Sequence, residues 1–467
     1  MSANRPLTTA SLPNSGGWWP GLAGGFLGLV LLKLGNPVIL DHVAPPPRGW
    51  DEMLRESWPA VWGYGLLGIM VVLGLVKGGW PKQLPRWVPI LPLVWLGWQF
   101  VAAGTTVDRG LTATVLPHFV ATVVCFGLGL SVGGGRRAWA AWGGLLVALV
   151  LVLGAGFRQQ YGGLAGDREF FEQNERTGWK EVPPGHLEDL LASRLVLRKA
   201  DGSLTANPDV LAKLAKHRIF GTLVYPNALA GAVLLLLPGA MGALWVATSR
   251  LQNVTRGVLV GVVGYMGLAC LYWSGSKAGW LIAVLVGSVA LLHAPLPRRW
   301  RIGVVLAVGV AGRVGFAWKY QRYFADGARS AGARIDYWKV GWRTAVNHPV
   351  TGTGPGSFYA IYRQTKPPEA EMARLAHNDY LQQAADSGVV GFLTFAAFIW
   401  GSLFHLYQHT ATDWRSFPVW LGLLGWAVQA FVEFGLYIPA LAWTAFFILG
   451  WLWSAARNEF DTVLTQT

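Results

Sequence analysis

The run HNDYLQQAADSGVVGF, residues 377–392, sets an imidazole, three side-chain amides and a carboxylate in its first seven residues, ahead of an apolar stretch. His377 is the residue there that can exchange a proton near neutral pH, which suits a general base or a donor to an anion. The other candidates are cations. His217 and Arg218 precede Tyr225, Pro226 and Asn227 in HRIFGTLVYPNALAG, Lys277 lies between Gly275 and Gly279 in WSGSKAGW, and ARIDYWKVGWR carries Arg334, Asp336, Lys339 and Arg343 at near-helical spacing. Fixed cations of this kind hold phosphates and other anions. Each candidate also has a plainer reading: Lys277 as a snorkelling cation, Asn227 as a helix cap, the charged row as a solvated face, His377 as a surface histidine in a polar turn. The glycine run GTGPGSF, 352–358, suggests a phosphate loop, but the strand, spacing and helix such a loop needs are missing, so a tight turn held by Pro355 is expected. No HExxH, paired CxxC, zinc cluster or Asp-x-Asp pair stands in the chain, and neither a metal nor a cofactor is expected.

The elements that must position these residues follow from composition. Of 467 residues 53% are hydrophobic and 13% charged, against about a quarter charged in soluble proteins, and 26 are tryptophan, a residue favoured at membrane interfaces. Lipid offers no partner to backbone polar groups, so the expectation is an all-α polytopic membrane protein. About twelve windows approach the roughly 20 apolar residues of a crossing, the first near 18–40 and the last near 439–456. Ionisable residues within or at the ends of these windows are few (Lys33, His118, Lys277, Arg313, Glu433), and each is functional by default because burying it in lipid is costly. Cys125 and Cys270 fall in apolar runs, so no disulfide framework is expected. The net charge of +14 is spread over connectors and forms no basic patch, which points to lipid headgroups or an anionic substrate and away from nucleic acid.

Lys77, Arg86, Arg137, Arg250, Arg298 and Arg415 occupy short connectors of one side, which the positive-inside rule makes cytoplasmic, together with both termini. The segment ahead of the first span shows no convincing cleavage pattern, and that span reads as retained. The chain then divides into helices 1–5 (1–157), a first large external loop (158–219), helices 6–9 (220–317), a second large external loop (318–387) and helices 10–12 (388–467). Helix punctuation at Pro183-Pro184-Gly185 and Asn207-Pro208 predicts short helices lying at the membrane surface in these loops.

Taken in order, RIFGTLVYPNALAG, SGSKAGW, HPVTGTGPGSF and HNDYLQQAADSGVVG resemble the O-antigen ligase and Wzy-type polymerase superfamily over roughly residues 215–400. The resemblance implies a GT-C-type membrane glycosyltransferase of the bacterial inner membrane, with its active site facing the periplasm. Such an enzyme moves a glycan from a polyprenyl diphosphate carrier to a hydroxyl of lipid A core, of a glycan or of a protein. His377 then matches the family's histidine in the large external loop, and Arg218 a basic residue ahead of the following span. Lys277 stands where the family commonly shows arginine, and a lysine lacks the bidentate fork of a guanidinium. The expected catalytic set is His377, Arg218 and Lys277, with Arg334, Arg343, Tyr225, Asn227 and Asn378 binding substrate in an inverting, metal-independent transfer. A Wzy-type polymerase would differ only in acceptor. Two further alternatives are an enzyme whose base is Asp41, Asp51, Glu52 or Glu56 in the first external connector, and a transporter or flippase that binds an anionic lipid-linked glycan without chemistry.

Overall fold

The computed structural model describes residues 17–464 apart from 44, 45, 48, 82, 83, 135 and 326–328; the segment ahead of the first span lies outside the described residues. In chain order the elements are α1 Trp19–Lys33, α2 Trp50–Arg55, α3 Ala60–Lys77, α4 Trp87–Ala103, α5 Arg109–Ser131, α6 Ala141–Arg158, α7 Leu164–Thr177, α8 Pro184–Ala192, β1 Val196–Arg198, β2 Leu204–Ala206, α9 Pro208–Ala215 and α10 Pro226–Ala247. They continue with α11 Asn253–Trp273, α12 Lys277–Leu292, α13 Arg298–Ala325, α14 Arg329–Asn347, α15 Phe358–Thr365, α16 Asp379–Thr410, α17 Ser416–Gln429 and α18 Pro439–Leu464.

Among the described residues eight helices are long and apolar enough to cross a membrane: α3, α5, the continuous run through α6, α10, α11, α13, α16 and α18. α1, α4 and α12 are shorter apolar helices of 15, 17 and 16 residues, and α17 has 14. The apolar stretch 418–434, one of the twelve windows, is thus only partly helical. α17 stops at Gln429 and the chain turns through 430–438, which brings Glu433 out of the helix and into a polar setting.

The central packing pairs α5 with α18, α10 with α17 and α4 with α16. Trp95 of α4, Phe119 of α5 and Phe446 of α18 meet at ring separations of 4.9 and 6.3 Å. Two of the ionisable residues inside apolar windows prove structural. Lys33 donates to the carbonyls of Leu54 and Glu56 at 2.5 and 3.1 Å, quenching the C-terminal end of α2. His118, wholly buried, accepts from Trp443 Nε1 at Nδ1 (3.1 Å) and so carries its proton on Nε2, 2.7 Å from the Leu436 carbonyl. Asp379 accepts from the Leu436 N–H at 2.9 Å, and its own N–H donates to the Ala430 carbonyl at 2.7 Å. Both backbone groups of Leu436 are therefore held, and the 430–438 turn that carries Glu433 is fixed between α5 and α16. Arg313 is exposed on α13.

Residues 158–219 contain helices α7, α8 and α9, but also a two-stranded antiparallel hairpin, with Val196 opposite Ala206 and Arg198 opposite Leu204. Asp201 and Gly202 turn it, Gly202 taking a φ of +83° while Asp201 Oδ1 accepts from Ser203 N at 2.9 Å. In the second connector α13 runs past residue 317 to Ala325. α14 buries Tyr337 and Val340 and leaves Ile335, Trp342 and Val346 exposed on its other side.

The glycine run 352–358 does cradle an anion-like group, although no strand precedes it. Gly352, Gly354 and Gly356 adopt φ values of +64°, +104° and +76°, a left-handed series that turns backbone N–H groups toward one point. The carboxylate of Asp386 occupies that point, accepting from Gly356 N at 2.9 Å and Phe358 N at 3.1 Å, with Gln382 Nε2 at 3.2 Å and the Tyr437 hydroxyl at 3.1 Å. An internal side chain, rather than Pro355 alone, holds this loop. Two residues on, Gly388 takes a non-helical φ of +68° and ψ of −169°, so the first helical segment of α16 ends there and a membrane-length segment begins.

Candidate functional site

Six of the eight site residues expected from sequence line one cavity of ≈ 190 Å³: Arg218, Tyr225, Asn227, Lys277, Arg334 and His377. Glu433 and Glu371 line it as well. The elements delivering them come from widely separated parts of the chain: the loop ahead of α10 and its first turn, the α11–α12 reversal, α14, the loop before α16, and the turn after α17.

Glu433 is the hub. It is 4% exposed, and its carboxylate accepts from the Tyr225 hydroxyl at 2.6 Å, from Asn227 Nδ2 at 2.6 Å and from Arg334 Nη2, with His377 Nδ1 at 3.3 Å. Burial pushes the Glu433 carboxyl up, but His377, Arg334 and Tyr225 outweigh it and hold the group below its ordinary value, so it is a carboxylate at neutral pH. Burial, and after it the Glu433 charge, drives the Tyr225 phenol well above its usual range; Tyr225 serves as a hydrogen-bond donor. Its ring stacks on Phe434 at 5.3 Å.

Arg218 is half-buried. Its Nη2 donates to Asn227 Oδ1 at 2.9 Å and its Nε to the Ser274 carbonyl at 2.8 Å, at the C-terminal end of α11 where a cation is favoured. A Cβ at Gly275 would approach Arg218 Nε to 3.0 Å, and Gly275 has a φ of +63°, so both the sharp reversal and the seat of Arg218 need glycine there. Ser276 caps α12 by accepting from Gly279 N at 3.2 Å, which leaves the Lys277 and Ala278 end of the helix facing the cavity. Lys277 Nζ lies 4.0 Å from the Tyr323 ring centroid and 5.1 Å from that of Tyr320. Neither Arg218 nor Lys277 forms an ion pair among the described residues. The Arg334 Nε has no acceptor there either, although it is buried. The cavity thus offers three cations and a helix N-terminus with unused donor capacity.

His377 is not on the helix that carries Tyr380, Leu381 and Ala384. It precedes the helix in the left-handed region, φ +51°, and Asn378 is the cap, its side chain accepting from Leu381 N at 2.9 Å. The imidazole stacks on Tyr337 at 5.6 Å and meets the edge of Phe434 at 4.7 Å, so the ring is clamped on both sides. Asn378 is committed to this cap and Arg343 is exposed on α14; neither lines the cavity. Asp379, Gln382 and Gln383 are fully buried and point inward: Gln383 Oε1 accepts from Trp95 and Gln99 at 2.8 and 3.1 Å, and Gln382 Oε1 from Ala376 N at 2.8 Å. The polar run beside the apolar one is scaffold, apart from its first residue. Asp41, Asp51, Glu52 and Glu56 do not line the cavity; Asp41 accepts from Ala60 N at 2.9 Å at the start of α3. Among the described residues no three His, Cys, Asp or Glu side chains form a group that could hold a metal ion.

Fold and cavity together define a multi-pass membrane protein with a cation-lined, histidine-bearing cleft at one end of its helix bundle. Residues 262–396 match the O-antigen ligase family model, Wzy_C. The matched segment includes Lys277, Arg334 and His377, whereas Arg218, Tyr225, Asn227 and Glu433 fall outside it. No curated protein matches the chain.

Proposed function

We propose that the cavity transfers a glycan from a polyprenyl diphosphate carrier to an acceptor hydroxyl at the periplasmic face of the bacterial inner membrane, as an O-antigen ligase does. The chain then crosses the bilayer about twelve times, with α1, α4, α12 and α17 as short crossings, and residues 158–219 and 318–387 lie on the periplasmic side. The acceptor oxygen bonds to the anomeric carbon with inversion, the bond from that carbon to the diphosphate oxygen breaks, and the hydroxyl proton passes to His377. Negative charge grows on the departing diphosphate. Arg218, Lys277, Arg334 and the N-terminus of α12 are already fixed around the cavity, so they favour that charge without reorganising during the reaction. The observation that carries the reading is the convergence of these three cations and His377 on one small cleft.

Incubating the purified protein with a lipid-linked glycan and candidate acceptors is expected to release polyprenyl diphosphate and form the linked product, with activity retained in EDTA. Binding of the glycolipid with no release under any acceptor would favour transport instead, and strict dependence on added divalent ions would reject the metal-independent step. Lys277→Ala is expected to weaken donor affinity about tenfold, on the scale of one charge-assisted phosphate contact, while Lys277→Arg keeps or improves it by adding a fork. Titration with a non-transferable lipid diphosphate measures both; an alanine variant that binds as tightly as the parent would remove Lys277 from the diphosphate site.

A further inference from the structure

We propose that Glu433 is the positioning residue that fixes the tautomer and aim of His377, an inference that rests on the transfer reading above. A carboxylate can only accept, so its approach to Nδ1 at 3.3 Å places the imidazole proton on Nδ1 and leaves Nε2 with a free lone pair for an acceptor hydroxyl. The same carboxylate faces the imidazolium once the proton has been taken, which lowers the cost of forming it. Three features set this contact apart from a chance ion pair. Glu433 is buried and fixed, because the Leu436 backbone is held by His118 and Asp379. Its remaining lone pairs are taken by Tyr225, Asn227 and Arg334, so the carboxylate cannot rotate away. Tyr337 and Phe434 clamp the ring, so orienting one nitrogen orients the other.

The test is a double-mutant cycle on the full-length protein. Glu433→Gln is expected to lower kcat at least about tenfold, a modest share of a general base's usual effect. The affinity for farnesyl diphosphate, read by direct titration, should stay within about threefold because the cations remain. In the His377→Ala background the same change should cost less than about threefold, since two groups acting as one unit are non-additive. An equal cost in both backgrounds, or an unchanged kcat in the single variant, overturns the assignment. If Glu433→Gln does not fold, Glu433→Asp keeps the charge but withdraws it, and the same non-additivity is required of it. Nitrogen-15 spectra of labelled histidine, with His377 assigned by its loss in the alanine variant, separate this inference from the transfer reading: an Nδ1–H tautomer in the parent supports it whatever reaction occurs, and an Nε2–H tautomer overturns it. Failure of the parent to transfer any glycan would instead count against the proposed function.

Discussion

His377→Ala is expected to lower turnover by about 10³-fold, within the usual range for removing a general base, while lipid diphosphate affinity changes little. The asymmetry follows from the division of the cavity. Arg218, Lys277 and Arg334 carry the positive charge and are held by Asn227, the Ser274 carbonyl, an aromatic pair and Glu433, with no contribution from the imidazole to the first two. Removing the ring deletes the proton acceptor and leaves the anion seat standing. Initial rates of glycan transfer, together with titration of farnesyl diphosphate, measure the two effects separately. A variant with rates within about threefold of the parent would show that the base is some other group. A variant that loses affinity and keeps its maximal rate would make His377 a hydrogen-bond donor to the diphosphate.

Asp386→Ala is expected to destabilise the fold by several kcal/mol, the largest stability effect foreseen for a single side chain near the cleft. The carboxylate satisfies two buried backbone N–H groups, Gly356 and Phe358, besides the Gln382 amide and the Tyr437 hydroxyl. Each buried N–H left without an acceptor costs about 1–3 kcal/mol. Asp386→Asn should lose less, because the amide oxygen still accepts. Thermal unfolding of the purified protein in detergent gives the order parent, asparagine, alanine in decreasing midpoint. Equal midpoints would mean that the loop keeps its shape without its internal anion.

How much of this was legible in the sequence depended on the range of the interaction. Helices in the apolar windows follow from local hydrophobicity, and six candidate residues that converge on the cavity were recognisable by charge or ring chemistry within short motifs. Glu433 was noticed as a charge in an apolar window, but its role was hidden. Its partners lie 56 to 208 residues away, and the window's continuous hydrophobicity concealed the turn that releases it from α17. The polar run Asp379–Gln383 misled for the opposite reason: its composition suits a site, yet Gln383 is spent on α4 and Asp379 Oδ2 on the 430–438 turn, away from the cavity. The hairpin after α8 left a local signal, Asp201-Gly202 between two short β-prone triplets, which the helix-dominated surroundings overshadowed.

The tethering of Leu436 to His118 has a consequence for dissecting the molecule. The turn bearing Glu433 is moored to α5, far upstream of residues 262–396, and Arg218 and Asn227 also precede that segment. An excised fragment confined to the matched region would therefore keep the histidine but lose its carboxylate neighbour, the foothold of that neighbour and a third of the cationic wall. Designs that graft or swap this region between relatives need to carry α5, residues 218–227 and the 430–438 turn with it.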